Sequence, residues 1–297
     1  MKIIGALLAA MAGLFAQPAL AACSLGVPGR TMEVAIGDTG RSVMLRRPAD
    51  APAARLPLVM LFHGSGGTAA AMLRDSKLEP TADEHGFVLA AANAGIALET
   101  GYAWNIPGVP TIAGTIPTAA DPDDVAFVGQ AIEFLAARGC IDPRRVYATG
   151  LSGGGRMTSW LGCVAADRFA AIAPVVGLRA GNPLAADPSQ PDPATCRPSR
   201  PVPVMAFAGE ADTTNPVAGG GAGYWQYSML AGMTRWAALD GCRDGPAARA
   251  LGPVRWEYRW NRCRQGAEVI AHMVTGGGHS WVADNDLLWE FFARHRR

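Results

Sequence analysis

Val146-Tyr-Ala-Thr-Gly150-Leu151-Ser152-Gly153-Gly154 sets a serine between glycines in the spacing G-x-S-x-G, after an apolar run and before a stretch with helical spacing. A serine on a sharp strand-to-helix turn has a strained backbone and crowded neighbours, so the flanking positions need residues without side chains. Such a turn lifts the hydroxyl clear of a sheet. It also leaves the Gly153 amide at a helix N-terminus, facing the place where an oxyanion would form. The chemistry this predicts is acyl transfer through a covalent ester of Ser152. Serine is a weak nucleophile without a base. Among histidines 63, 85, 272, 279 and 295, His279 has the fitting place, in a loop after Gly276-Gly277-Gly278 that follows the apolar run Glu268–Val274. His272 lies inside that run, His85 beside a helix end where capping is the commoner role, and His295 in an arginine-rich tail expected to be solvated. An acid should follow a strand between serine and histidine, to orient the imidazole and stabilise its charged form. Val202–Ala208 is such a strand; Asp212 is the expected acid, with Glu210 as its rival. His63-Gly64-Ser65-Gly66-Gly67 follows the apolar run Leu56–Phe62 and can turn backbone amides toward a substrate. The Ser65 amide is the expected second oxyanion donor. As a phosphate loop the segment fails, since no Gly-Lys-Ser/Thr follows.

Four aromatic residues lie near these motifs in sequence. Trp104 is in the loop Gly95 to Asp121, Tyr224 and Trp225 follow Gly219-Gly220-Gly221, and Trp281 lies two residues past His279. Ester pockets need apolar walls, and an exported enzyme gains little by exposing large rings. These four are therefore expected to line the substrate pocket. The alternative is packing in the core, as most tryptophans do. The two stand equal for Trp281, while glycine-rich flanks favour the pocket for Trp104 and Trp225.

Strands and helices must hold these groups, and the chain alternates them. Thr31–Gly37 and Arg41–Arg47 read as a hairpin around Asp38-Thr39-Gly40. Leu56–Phe62, Phe87–Ala92, Arg145–Thr149, Ala170–Val176, Val202–Ala208, Val254–Trp260 and Glu268–Val274 read as strands, several of them wholly apolar. Ala69–Leu73, Leu78–His85, Asp121 to Gly139, Gly153–Val164, Gln226–Leu239 and Asp284–Arg294 read as helices. Gly95 to Asp121 carries no periodicity and reads as a long loop, a length usually tied to function. This alternation predicts an α/β fold, a mostly parallel central sheet with helices on both faces.

The chain has 297 residues, 49% of them hydrophobic and 17% charged, enough to bury a large core. With 26 basic against 25 acidic side chains it lacks the basic patch expected of a nucleic-acid binder. Lys2 is the only charge before Arg30, Ile3 to Phe15 is apolar or small, and Ala19-Leu20-Ala21 is a small-x-small pattern. A signal peptide over 1–21 is expected, cleaved after Ala21, with a single catalytic domain over 22–297 exported. The apolar run is short for a membrane span, and no later stretch approaches about 20 residues. Leu20-Ala21-Ala22-Cys23 also resembles a lipobox, which would anchor the protein through Cys23. The even number of cysteines, 23, 140, 163, 196, 242 and 263, favours a full disulfide set instead. Cys242 with Cys263 flank one segment that reads as a loop and a strand. That local pair is the first expectation, with Cys163 to Cys196 next and Cys23 to Cys140 remaining, but six cysteines allow 15 pairings and the sequence alone does not choose among them. No CxxC or HxxxH spacing supports a metal.

At these residues the chain resembles a known family. It looks like the secreted esterases grouped with short-chain polyhydroxybutyrate depolymerases and feruloyl or acetylxylan esterases. The resemblance spans almost the whole expected mature chain. It rests on Leu61 to Gly67, Asp124 to Val128, Cys140 to Gly154, Asp212 with Asn215-Pro216, Gly219 to Tyr227, Trp236 to Cys242, and Gly276 to Trp281. It implies an α/β-hydrolase fold, no cofactor, and a triad of Ser152, Asp212 and His279. The family often has His-Gly-x-x-Asp before the acid, whereas here the segment reads Ala208-Gly-Glu-Ala-Asp212. The substrate it implies is an ester, first a polyhydroxybutyrate or related hydroxyalkanoate. No polymer-binding module follows the motifs, which points toward soluble oligomers or small esters. A feruloyl or acetylxylan esterase is close behind, a serine peptidase of the same fold is further off, and an inactive ligand-binding relative is the alternative outside enzymes.

Overall fold

The computed structural model describes residues 23–52 and 54–297. The expected signal peptide and its cleavage site after Ala21 lie outside the described residues.

The elements in chain order are β1 (Thr31–Ala35), β2 (Ser42–Arg46), β3 (Leu56–Phe62), α1 (Ala69–Ser76), α2 (Leu78–His85), β4 (Val88–Ala92), β5 (Ile96–Ala97) and β6 (Tyr102–Ala103). They continue with α3 (Asp124–Ala137), β7 (Ile141–Leu151), α4 (Gly153–Val164), β8 (Ala171–Val175), β9 (Pro183–Leu184), β10 (Asp187–Pro191) and β11 (Val204–Gly209). The last are α5 (Met229–Leu239), β12 (Asp244–Ala250), β13 (Arg255–Asn261), β14 (Val269–Val274) and α6 (Asn285–Ala293).

Ten strands share one sheet in the order β1-β2-β4-β3-β7-β8-β11-β14-β13-β12. The central strands from β4 to β14 run parallel. Antiparallel pairs flank them, β1 and β2 on one side and β13 and β12 on the other. Every residue of β3, β4 and β8 is buried, because helices cover both faces. Leu58, Met60 and Phe62 point to one face, where they meet Phe127 of α3, Met157 of α4 and Trp236 of α5. Val59 and Leu61 point to the other, with Met72 of α1, Leu78 of α2 and Phe291 of α6. Alternation along one strand thus feeds two cores, each fully buried leucine or phenylalanine contributing about 1.5–3 kcal/mol. This is the α/β-hydrolase architecture.

Side chains fix where helices start. Asp123 accepts from the Ala126 amide at 2.9 Å, and Ser228 from Ala231 at 3.1 Å. The Ser228 cap is why α5 begins at Met229 and not at Gln226. The long segment after β4 is mostly loop, with the short β5–β6 hairpin inside it. Its first part is gathered on the fully buried Asp124, which accepts from the amides of Gly95 and Asn105 and from Arg41 Nη2 at 2.7–2.9 Å. Two features are invisible in the apolar pattern. All seven residues of β12 are exposed, so the segment reads as loop, and the small β9–β10 sheet is built from mostly exposed residues. Disulfides join Cys23 to Cys140, Cys163 to Cys196 and Cys242 to Cys263.

Candidate active site

The site is assembled at the C-terminal ends of the parallel strands. β7 delivers Ser152, whose φ of +54° and ψ of −109° turn the chain directly into α4. An L-residue in that region stores strain of order 1–3 kcal/mol, which surrounding packing must hold. The glycine spacing has a visible cause. A Cβ on Gly150 would stand 2.6 Å from the Phe62 carbonyl oxygen, and one on Gly154 would overlap the same atom. β3 therefore fits against the end of β7 and the start of α4 only because both positions lack side chains. The Ser152 amide donates to Val175 O at 2.9 Å, which ties the turn to β8.

The His279 ring bridges serine and acid. Its Nε2 is 2.8 Å from Ser152 Oγ and its Nδ1 is 2.8 Å from Asp212 Oδ2. Asp212 is buried, and its Oδ1 accepts the amides of Thr214 and Asn215 at 2.9 and 2.8 Å. One oxygen thus faces the imidazole while the other is held by its own loop. The acid loop after β11 and the histidine loop after β14 are stitched together, Ala211 N donating to Gly277 O at 2.8 Å. Glu210 is exposed and accepts from the Gly276 amide at 3.2 Å, so it supports the histidine loop and does not touch the ring. Ser152 is only 8% exposed, whereas His279 keeps a quarter of its side chain open.

Ser65 stands against Gly153, where a Cβ would lie 2.7 Å from the Ser65 amide nitrogen. Both expected oxyanion amides therefore belong to adjoining pieces of chain. His63 holds this loop from below. Its Nε2 accepts from Ala94 N at 3.0 Å, and its Nδ1 lies 2.7 Å from Gly64 O. Those partners require the neutral ring with the proton on Nδ1. Burial pushes its pKa down to about 4, against a smaller upward pull from the Gly64 carbonyl.

The four expected pocket aromatics fall in different places. Trp104 is 4% exposed, packs edge-on to Phe62 and donates its indole N–H to His63 O at 2.8 Å. It is a core residue beneath the Ser65 loop, because its one polar atom finds a carbonyl there. Trp225 is 7% exposed and donates to Pro216 O at 2.9 Å, so it fastens its own loop. Trp281 is half-buried, donates to Asn285 Oδ1 at 2.9 Å and packs against the second core. Tyr224 is half-buried, with the Arg156 guanidinium 4.7 Å from its ring centre. His295 is buried and not solvated, its Nε2 3.3 Å from the Glu268 carboxylate.

Arg156, one turn into α4, gave no signal in sequence. It is 3% exposed, and its Nη2 donates to Ser65 Oγ at 2.9 Å while Nη1 lies 3.5 Å from Asn215 Oδ1. Its place depends on two loops far away in the chain. Among the described residues, Glu84, His85 and Asp286 could offer three metal-ligating atoms, at the end of α2 and the start of α6.

Residues 77–180 match the prolyl oligopeptidase family. The chain is 30% identical to feruloyl esterase B of Piromyces equi, over 79% of this chain and 41% of that one. It is 30% identical to NocK of Nocardia uniformis subsp. tsuyamanensis, which bears the name of an esterase, over 84% of this chain and 73% of that one. It is 29% identical to the poly(3-hydroxybutyrate) depolymerase of Ralstonia pickettii, over 76% of this chain and 43% of that one. The chain thus spans under half the length of the feruloyl esterase and the depolymerase. The solved acetyl xylan esterase of Aspergillus awamori has the same fold, at TM-score 0.64 and 16% identity over 89% of this chain and 99% of that one.

Proposed function

Because the chain belongs to the α/β-hydrolase family of esterases that includes feruloyl esterases, acetylxylan esterases and polyhydroxybutyrate depolymerases, we propose that it is a secreted serine esterase. Its first substrate class is hydroxyalkanoate ester, as oligomer or polymer. The observation that supports the serine-esterase reading is the unbroken line from Asp212 through His279 to Ser152, with 2.8 Å at each step.

In the proposed reaction Ser152 Oγ attacks the ester carbonyl while His279 Nε2 takes its proton. Charge collects on the former carbonyl oxygen, which faces the Gly153 and Ser65 amides. Asp212 fixes the tautomer and stabilises the imidazolium. His279 then gives the proton to the leaving alcohol. Water, deprotonated by the same nitrogen, releases the acid from Ser152. Tyr224 remains the aromatic candidate beside the site. The 30% identity to a feruloyl esterase keeps aryl esters as the second substrate reading. Export is supported by the three disulfides, which form and persist in oxidising compartments.

Ser152→Ala should give a folded protein with no measurable ester turnover and no labelling by an organophosphonate. Near-normal turnover in that variant overturns the assignment. Relative kcat/KM on hydroxybutyrate oligomers, methyl ferulate, acetylated xylan and short p-nitrophenyl esters decides the substrate, with the oligomers expected to lead.

A further inference from the structure

The oxyanion hole described above contains two backbone amides. We propose that it has a third donor, the hydroxyl of Ser65, set and polarised by the buried guanidinium of Arg156. The proposal rests on the esterase reading and adds a catalytic side chain and a positioning residue to it.

The argument starts from what each group can donate. Arg156 Nη2 lies 2.9 Å from Ser65 Oγ. A guanidinium has donors and no acceptor, so in this bond Ser65 Oγ must be the acceptor. The hydroxyl hydrogen is then left for another acceptor. Among the described residues Ser65 Oγ makes no other hydrogen bond. A Cβ on Gly153 would stand 2.5 Å from Ser65 Oγ and 2.7 Å from Ser65 N, so hydroxyl and amide both adjoin the Gly153 backbone. An oxyanion bound by the Gly153 and Ser65 amides lies within reach of the free hydroxyl hydrogen.

Arg156 strengthens that donor. It is 3% exposed, and its polar neighbours are the Ser65 hydroxyl, the Asn215 side-chain oxygen and the face of Tyr224. No carboxylate among the described residues pairs with it. Burial, with the nearby Arg179 charge adding to it, lowers its pKa to about 10, so the group stays charged at neutral pH. A cation bonded to a hydroxyl oxygen draws electron density from it and makes its hydrogen a better donor. Kept from water and from any acid, this charge meets a negative partner only when the tetrahedral oxyanion forms. Interactions that strengthen in the transition state alone raise kcat and leave KM alone. Arg156 also reaches the acid loop, since Asn215 donates its amide to Asp212 and its Nδ2 to Val176 O at 2.6 Å. A purely structural role for Arg156 through Asn215 is therefore the competitor.

The test is a double-mutant cycle on a short soluble ester. Ser65→Ala should lower kcat on the order of 10²-fold, as loss of one oxyanion donor does, with KM within about twofold. Arg156→Gln should give a similar fall, and Arg156→Lys should recover part of it. Combining Ser65→Ala with Arg156→Gln should cost little more than Ser65→Ala alone, because both act through one hydroxyl. A Ser65→Ala enzyme with kcat within about threefold of wild type overturns the proposal. So does a double variant whose losses multiply, which would show Arg156 acting through Asn215. If Arg156→Gln does not fold, Ser65→Ala and Arg156→Lys still decide. Ser152→Ala separates the failures. If it is inactive while Ser65→Ala is normal, only the third donor falls, and if it is active the esterase reading falls.

Discussion

At the scale of single residues, the buried histidines decide how the protein meets acid. His272 is held in β14 with its ring stacked 5.2 Å from that of Phe207, and among the described residues neither ring nitrogen has a hydrogen-bond partner. Burial lowers its pKa to about 4 from 6.5, with Glu257 pulling the other way. Between those values the unfolded chain binds a proton that the folded protein refuses, so stability rises with pH and is lost as pH falls. The contribution is about 1.4 kcal/mol per pH unit across that window. His272→Phe keeps the stacking and removes both the orphaned nitrogens and the titration. Its advantage over wild type in urea unfolding should therefore grow as pH falls from 6.5 toward 4, by about that slope. An advantage that does not change with pH would show that His272 does not titrate in this range. That the candidates Ser152, His279 and Asp212 come together was legible in sequence because glycines mark where each loop leaves its strand. Arg156 and the supporting role of His63 were not, since each is defined by partners from other loops. Trp104 misled because a glycine-rich loop can still carry a ring into the core when a carbonyl waits for its N–H.

At the scale of elements, the crossing of β3 with the start of α4 is the tightest demand the fold makes. Gly154→Ala puts a methyl group onto the Phe62 carbonyl, and backbone cannot yield as a flexible side chain can. Loss of at least about 2 kcal/mol is expected, of the size seen for overpacking. Activity should fall with it, because the same shift moves Ser65 and Ser152 apart. A Gly154→Ala protein with unchanged Tm and kcat would mean the helix can slide, contrary to the packing described. Strands with two dry faces, β3, β4, β8 and β11, were readable as apolar runs. The edge was not. Among the described residues β12 pairs only with β13, and it is exposed throughout, so its sequence, Asp-Gly-Pro-Ala-Ala-Arg-Ala, carries no burial pattern to read. β7 was read as Arg145–Thr149 and runs from Ile141 to Leu151, because Asp142, Pro143 and Arg144 mask its first half.

At the scale of the whole molecule, three covalent ties join stretches of chain that lie apart in sequence. Their loops differ, with sequence separations of 117, 33 and 21 residues. If restriction of the unfolded chain dominates, replacing Cys23 and Cys140 by alanine should cost the most, about 4–5 kcal/mol, and replacing Cys242 and Cys263 about 3. Tm values of the three paired variants check the order, and a reversed order would place the effect in the native state. The pairing has a second consequence, for how the protein is made. Each bond joins a cysteine to the next cysteine along the chain, first with second, third with fourth, fifth with sixth. On the proposed export, the chain enters an oxidising space N-terminus first and presents its thiols in that order. An oxidase that simply links successive arrivals produces the native set, and no wrong bond has to be reopened. Yield of the oxidised protein should therefore depend on the oxidase and be indifferent to removal of the disulfide isomerase.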